Sequence, residues 1–203
     1  YRQRGFRVRY MLMDGQFEPM RATLASWGIQ LNIVAAREHV PQIERFIRTV
    51  KERTRATYNS LPFNPPARIL IEMVRRSVYW LNVFPPMDGV SKTLSPSAII
   101  TGHVPDYTKH CAIPFGTYCQ VHNESDNTMR ARTTGGIALR PTGNAQGSHY
   151  FYALNTNKRV TARNWTPLPM PADVILFLNK IAKKQQARKG IRFQRRDNTD
   201  VPD

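Results

Sequence analysis

The chain has 203 residues, with 30 Lys and Arg against 14 Asp and Glu, a formal net charge of +16. A charge so far from zero exceeds what solubility requires and favours polyanions, either nucleic acid or an acidic membrane surface. The cations run along the whole length and not along one amphipathic helix, and no apolar run is long enough to cross a bilayer, so nucleic acid is the expected partner and a membrane is not.

From 6 to 14 the order F-R-V-R-Y-M-L-M-D alternates, placing Phe6, Val8, Tyr10 and Leu12 on one face, as in a half-buried strand. Asp14 closes this run just before Gly15. A carboxylate there stands at the carboxyl edge of a strand, where α/β proteins commonly place chemistry, although an Asp-Gly pair is also a turn former. A short helix over 17–27, ended by Gly28, and a second strand over 29–34 are expected to follow.

The stretch EHVPQIERFIRTVKERTRATY, residues 38–58, predicts one amphipathic helix opened by Pro41. Ile43, Phe46, Ile47, Val50 and Thr54 recur at three- and four-residue spacing, a stripe expected to be buried. About a quarter turn away, Glu44, Arg48, Lys51 and Arg55 form a column in which one carboxylate heads three cations. Alone, such a column reads as a solvated face laced with ion pairs.

Prolines at 62, 65 and 66 break the chain before a helix over 67–81, expected to turn Leu70, Met73, Val74, Ser77, Val78 and Leu81 inward and Arg68, Arg75 and Arg76 outward. Ser95 is placed to cap a short helix starting at Pro96. Cys111 and Cys119 are the only cysteines, too few for a disulfide scaffold, and fit a reducing intracellular compartment. With His103, His110 and His122 nearby they invite a zinc reading. The spacing lacks paired close ligands, however, and Cys119 falls within a predicted strand where a small apolar residue suits a core.

From 115 onward the runs become short and alternating, over 115–122, 134–140, 148–154 and 159–165, with ESDNT, PTGNAQG and NTNK between them. That spacing predicts a small barrel. Arg130, Arg132, Arg140, Lys158, Arg159 and Arg163 would decorate it among Tyr118, Tyr150 and Tyr152, as candidate phosphate contacts. A final helix over 172–187 leads into cations from Lys180 to Arg196 with no acid among them. This block reads as a solvated tail, a nucleic-acid contact or a nuclear import signal.

Strand, helix, strand, helix, with a carboxylate ending the first strand and another opening the last helix, resembles the second half of an RNase H-like nucleic-acid enzyme. The likeness sharpens to the integrase region of copia-type LTR retrotransposon polyproteins. It rests on DGQF at 14–17, GI at 28–29, ERFIRTVKER at 44–53, LPF at 61–63, YWLN at 79–82, LSPSAIITG at 94–102, PFGTY at 114–118 and NWTPLP at 164–169, in the family's order. In that family two Asp and one Glu hold two Mg²⁺ or Mn²⁺ ions for 3′-end processing and strand transfer. The resemblance implies that Asp14 is the second Asp and Glu44 the Glu, as catalytic residues and metal ligands, and that Arg48, Lys51 and Arg55 grip donor DNA.

The chain departs from the pattern in a shorter gap between Asp14 and Glu44, in DG where the family has DNG, and in having no carboxylate before Asp14. The resemblance therefore implies the downstream part of a longer polyprotein, or a decayed copy. Its expected fold is α/β followed by all-β: part of an RNase H-like core over 1–60, a helical extension over 61–110, a small DNA-binding β-barrel over 111–170, and a helix with a basic tail over 171–203. Implied partners are DNA, other polyprotein segments and, at full length, further copies of the chain, in the nucleus for integration and in the cytoplasm as polyprotein. The alternative is a catalytically dead nucleic-acid-binding or assembly module.

Overall fold

A computed structural model describes residues 2–34, 41–122, 128–129 and 131–185. The chain is mixed α/β. Strand β1 (Tyr10–Asp14) is followed by a 3₁₀ turn, helix α1 (Arg21–Ser26) and strand β2 (Gln30–Val34), which pairs parallel to β1 with Met11 beside Leu31 and Asp14 beside Val34. Gly28, at φ +72°, ends the helical segment as the sequence predicts, since the left-handed region carries no penalty for glycine. Leu24 and Leu31 are the buried residues of this unit.

The alternation in β1 is as expected, but the covered side is the opposite one. Met11 and Met13 are half-buried, in register with Leu31 and Ile33 on the face that α1 covers. Tyr10, 70% exposed, and Leu12 point away from it, and Phe6 and Val8 are exposed as well. A single short helix covers one face of a two-stranded ribbon, so the other face stays in water.

Helix α2 (Pro41–Asn59) and helix α3 (Ala67–Val83) pack together. Their contact is built on small polar residues: Thr54 and Ser77 are both buried, with hydroxyl oxygens 3.0 Å apart. Each hydroxyl also lies within hydrogen-bond reach of a carbonyl oxygen of its own helix, Thr54 of Val50 and Ser77 of Met73, so their two protons are shared among these acceptors and neither group is stranded. The expected burial of the α2 stripe holds only in this second half. Ile43, Phe46 and Ile47 are exposed, Phe46 at 64%, because no described neighbour covers that end of the stripe.

The inner face of α3 is also rotated from the expected one. Ile69, Glu72, Met73 and Ser77 are buried, whereas Val74 and Val78 are exposed. Arg75 is exposed as expected, but Arg76 is half-buried against aromatic rings. Helix α4 (Pro96–Thr101) starts as predicted, with the Ser95 hydroxyl accepting from the Ala98 N–H, and ends at Gly102 in the left-handed conformation. The short helix α5 (Tyr107–His110) follows.

Strands β3 (Tyr118–His122), β4 (Thr133–Pro141), β5 (His149–Ala153), β6 (Lys158–Ala162) and β7 (Trp165–Pro167) form one antiparallel sheet in the order β6-β5-β4-β3-β7. The expected run over 159–165 is divided between β6 and β7, which take opposite edges. A small barrel was the expectation; the sheet formed by the described residues is not a closed barrel, because β6 and β7 do not pair.

Alternation along the strands splits the core in two. Ile137, Leu139 and Tyr152 face Ile69 and Met73 of α3 and Val174 and Leu178 of helix α6 (Ala172–Lys184). Ala138 and Phe151 face the other way, into a smaller cluster with Ile113, Cys119 and Val121 that Val160, Ala162 and Trp165 flank. Cys119 is thus a core residue, its thiol pushed up to about 11 by burial, and both cysteines are free.

His149 is buried beside Trp165, its ring nitrogens 3.0 Å from the Gly147 carbonyl oxygen and 3.3 Å from that of His110. The His110 ring is buried too, and among the described residues its Nδ1 has no partner. Burial lowers the pKa of both rings, so the fold prefers them neutral.

Two outcomes follow from this packing. Met73→Ala removes atoms from the centre of the larger core and is expected to cost about 2–5 kcal/mol in urea unfolding, whereas Phe46→Ala changes stability by less than about 0.5 kcal/mol. Equal losses would place Phe46 against a neighbour. As pH falls through the ordinary histidine value of 6.5, the unfolded chain takes up protons that folded His110 and His149 refuse. Stability should therefore be full above that value and decline on acidification; a urea midpoint that is flat between pH 7 and 5.5 contradicts neutral buried rings.

Candidate nucleic-acid interface

The residues singled out for chemistry fall in three places. Asp14 is exposed at the carboxyl end of β1, immediately before the 3₁₀ turn, and its side chain makes no capping hydrogen bond. Glu44 is exposed in the first turn of α2, where a carboxylate suits the positive end of the helix dipole. Neither belongs to a group of three or more His, Cys, Asp or Glu side chains able to hold a metal, because no such group exists among the described residues.

On α2, Arg48 is exposed, while Lys51 and Arg55 are partly covered and engaged with neighbours. The helix therefore offers a graded basic face.

The cations of the sheet divide by surroundings. Arg132, Lys158 and Arg163 are exposed, before β4, at the start of β6 and in the turn to β7, respectively. Arg130 lies outside the described residues, as do Arg188, Lys189, Arg192, Arg195 and Arg196 of the basic tail. Arg140, half-buried, and Arg159, exposed on β6, both reach Glu72, which is 2% exposed on the sheet-facing side of α3.

Arg140 Nε donates to Glu72 Oε2 at 2.9 Å, Arg159 Nη1 donates to Glu72 Oε1 at 2.8 Å, and Arg75 Nη1 donates to the same oxygen at 2.9 Å. The guanidinium carbons of Arg140 and Arg159 lie 4.6 and 4.3 Å from the centre of the Tyr150 ring. Burial alone would push the Glu72 carboxyl up. The hydrogen bonds from Arg159 and Arg75 and the charges of Arg140 and Arg159 outweigh that and hold it below the usual range.

Three guanidinium groups on one carboxylate leave the cluster cationic, so Arg140 and Arg159 serve as clamps of the fold and still add positive potential to the surface. The periodicity of α3 does not reveal this, because Glu72 occupies a position that an apolar residue would take. One signal was available: Glu72 is the single acid in ARILIEMVRRSVYWLNV. Its charge at that position demands a cationic partner.

Among the described residues no helix is long and apolar enough to cross a membrane. No protein-family model matches the chain, and no curated protein matches it significantly.

Glu72→Ala is expected to destabilise the protein by about 2–4 kcal/mol, since it strands Arg140 in a half-buried site and unlinks the sheet from α3. The cost lies below that of a fully dry ion pair because Arg75 and Arg159 retain water. Arg132→Ala should leave the urea midpoint unchanged. Equal midpoints for both variants would show that the cluster adds nothing.

Proposed function

We propose that the chain is a DNA-binding portion of an integrase resembling those of copia-type retrotransposon polyproteins. The observation that carries this reading is the parallel β1-α1-β2 unit with Asp14 at its carboxyl end, followed by a helix that has Glu44 in its first turn and Arg48 one turn further on. The ordered motifs along the sequence and the net charge of +16 support it. Phosphate contacts from α2 and from the exposed cations around the sheet position a duplex without reading its bases, so binding is electrostatic and weakly sequence-selective.

The donor set present does not fit a two-metal centre. Asp14 and Glu44 are two carboxylates where the family's chemistry takes three, and the described residues form no larger ligand group with them. The described residues therefore carry DNA binding; 3′-end processing and strand transfer require a carboxylate from another segment. The exposed apolar residues of β1 and of the first turns of α2 favour assembly with a further polypeptide as a second role.

Fluorescence anisotropy with a labelled duplex tests the DNA reading. Affinity should fall steeply with salt, and Arg48→Glu with Lys51→Glu should weaken binding at least about tenfold and flatten the log–log salt slope by about 1–2, as expected for the loss of one or two phosphate contacts. Binding that ignores salt, or a double variant that binds as tightly as the parent, refutes it.

A further inference from the structure

Beside the α2–α3 contact lies a groove of about 530 Å³, walled by Arg53 and Thr57 of α2, Arg76, Ser77 and Trp80 of α3, Phe84, and the segment from Cys111 to Pro114. Its polar lining is two arginines, two hydroxyls and a thiol. Among the described residues Arg76 has no carboxylate partner: its guanidinium gives one hydrogen bond, Nη1 to Thr57 Oγ1 at 3.3 Å, and lies 5.8 and 5.7 Å from the ring centres of Trp80 and Phe115. Arg53 stands exposed at the rim. Among the described residues the buried indole N–H of Trp80 meets no acceptor.

A guanidinium carries five N–H donors in a planar fork, so most of those on Arg76 remain to be used. Among the described residues no carboxylate lines the groove, and burial pushes the Cys111 thiol in its wall up, towards the neutral form; a cation partly removed from water there attracts an anion that brings acceptors with it. The rest of the wall is apolar and aromatic, with Ala56, Phe84, Ile113 and Pro114 beside Trp80. Phe84 is 43% exposed, and the groove volume falls in the range that small organic ligands occupy.

We propose that this groove binds a single nucleotide, its phosphate on Arg76 and Arg53 and its base against the apolar wall of Ile113, Pro114 and the rims of Trp80 and Phe84, whose rings stack on each other. The inference rests on the DNA-binding reading and deepens it. The α2 face holds the backbone through exposed charge, while this groove receives one unpaired nucleotide through a half-buried guanidinium and aromatic surface. Such a site distinguishes a nucleotide from bare phosphate by the base and from a nucleoside by the charge.

The chain has three tryptophans, so the Trp80 indole N–H gives one of three indole signals in a ¹⁵N–¹H spectrum, assigned through Trp80→Phe. Titration of the full chain with thymidine monophosphate should shift that signal saturably, with inorganic phosphate and thymidine each at least about tenfold weaker. Arg76→Gln should weaken the nucleotide about tenfold or more. If that variant fails to fold, Arg53→Gln, at an exposed position, should weaken it about threefold or more.

The proposal is overturned if thymidine monophosphate leaves the Trp80 signal in place, if phosphate or thymidine binds as tightly as the nucleotide, or if the arginine variant that folds binds it unchanged. Loss of nucleotide binding with salt-linked duplex binding intact would remove this groove alone. Absence of both would remove the DNA reading as well.

Discussion

One carboxylate holds the two structural layers of the larger part of this chain in register. Glu72 leaves α3 on the side where Ile69 and Met73 enter the core, and meets Arg140 from β4 and Arg159 from β6 at hydrogen-bond distance. A desolvated acid at that place is unfavourable unless each oxygen is bonded, and here both are. Helix and sheet can slide past one another only by exposing that charge to an apolar wall. The ion pairs thus fix the position of α3, and with it the α2 helix that packs on α3 through Thr54 and Ser77.

The same cluster shows how a very basic protein keeps its charge compatible with folding. Arg140 and Arg159 bracket a Glu on one side and lie over the Tyr150 ring on the other, so their charge is offset where it is buried. Arg48, Arg132, Lys158 and Arg163 remain in water, where like charges are screened and available to a polyanion. Arg76 belongs to neither group: it is partly desolvated, has no carboxylate opposite it among the described residues, and stands in a groove whose remaining wall is mostly apolar. That contrast with Arg75, one residue away and paired with Glu72, is why the groove reads as a ligand site and the Glu72 cluster as a structural one.

Apolar surface is distributed as unevenly as charge. Each face of the sheet carries a buried cluster, the larger against α3 and α6 and the smaller around Phe151 and Cys119 with Trp165 of β7 at its flank. Parallel strand pairs are ordinarily covered on both faces, yet β1 and β2 leave Tyr10 and Leu12 in solvent, and α2 leaves Ile43, Phe46 and Ile47 there too. Exposed side chains of this size beside a parallel ribbon are consistent with the assembly role proposed for this end of the chain.

The amino-acid sequence by itself determined the elements: the strand that ends at Asp14, the glycine stop at Gly28, the helix opened by Pro41, the Ser95 cap and the alternating runs of the sheet all follow from local chemistry that acts within a few residues. Only the tertiary structure decided which face each element buries. Periodicity defines a stripe but not its partner, so Phe46 and Tyr10 lie in water, and Glu72 sits inside because two arginines far along the chain converge on it. It also decided that the last two strands take opposite edges of an unclosed sheet, since pairing depends on neighbours brought together by the fold and not on the pattern within a strand.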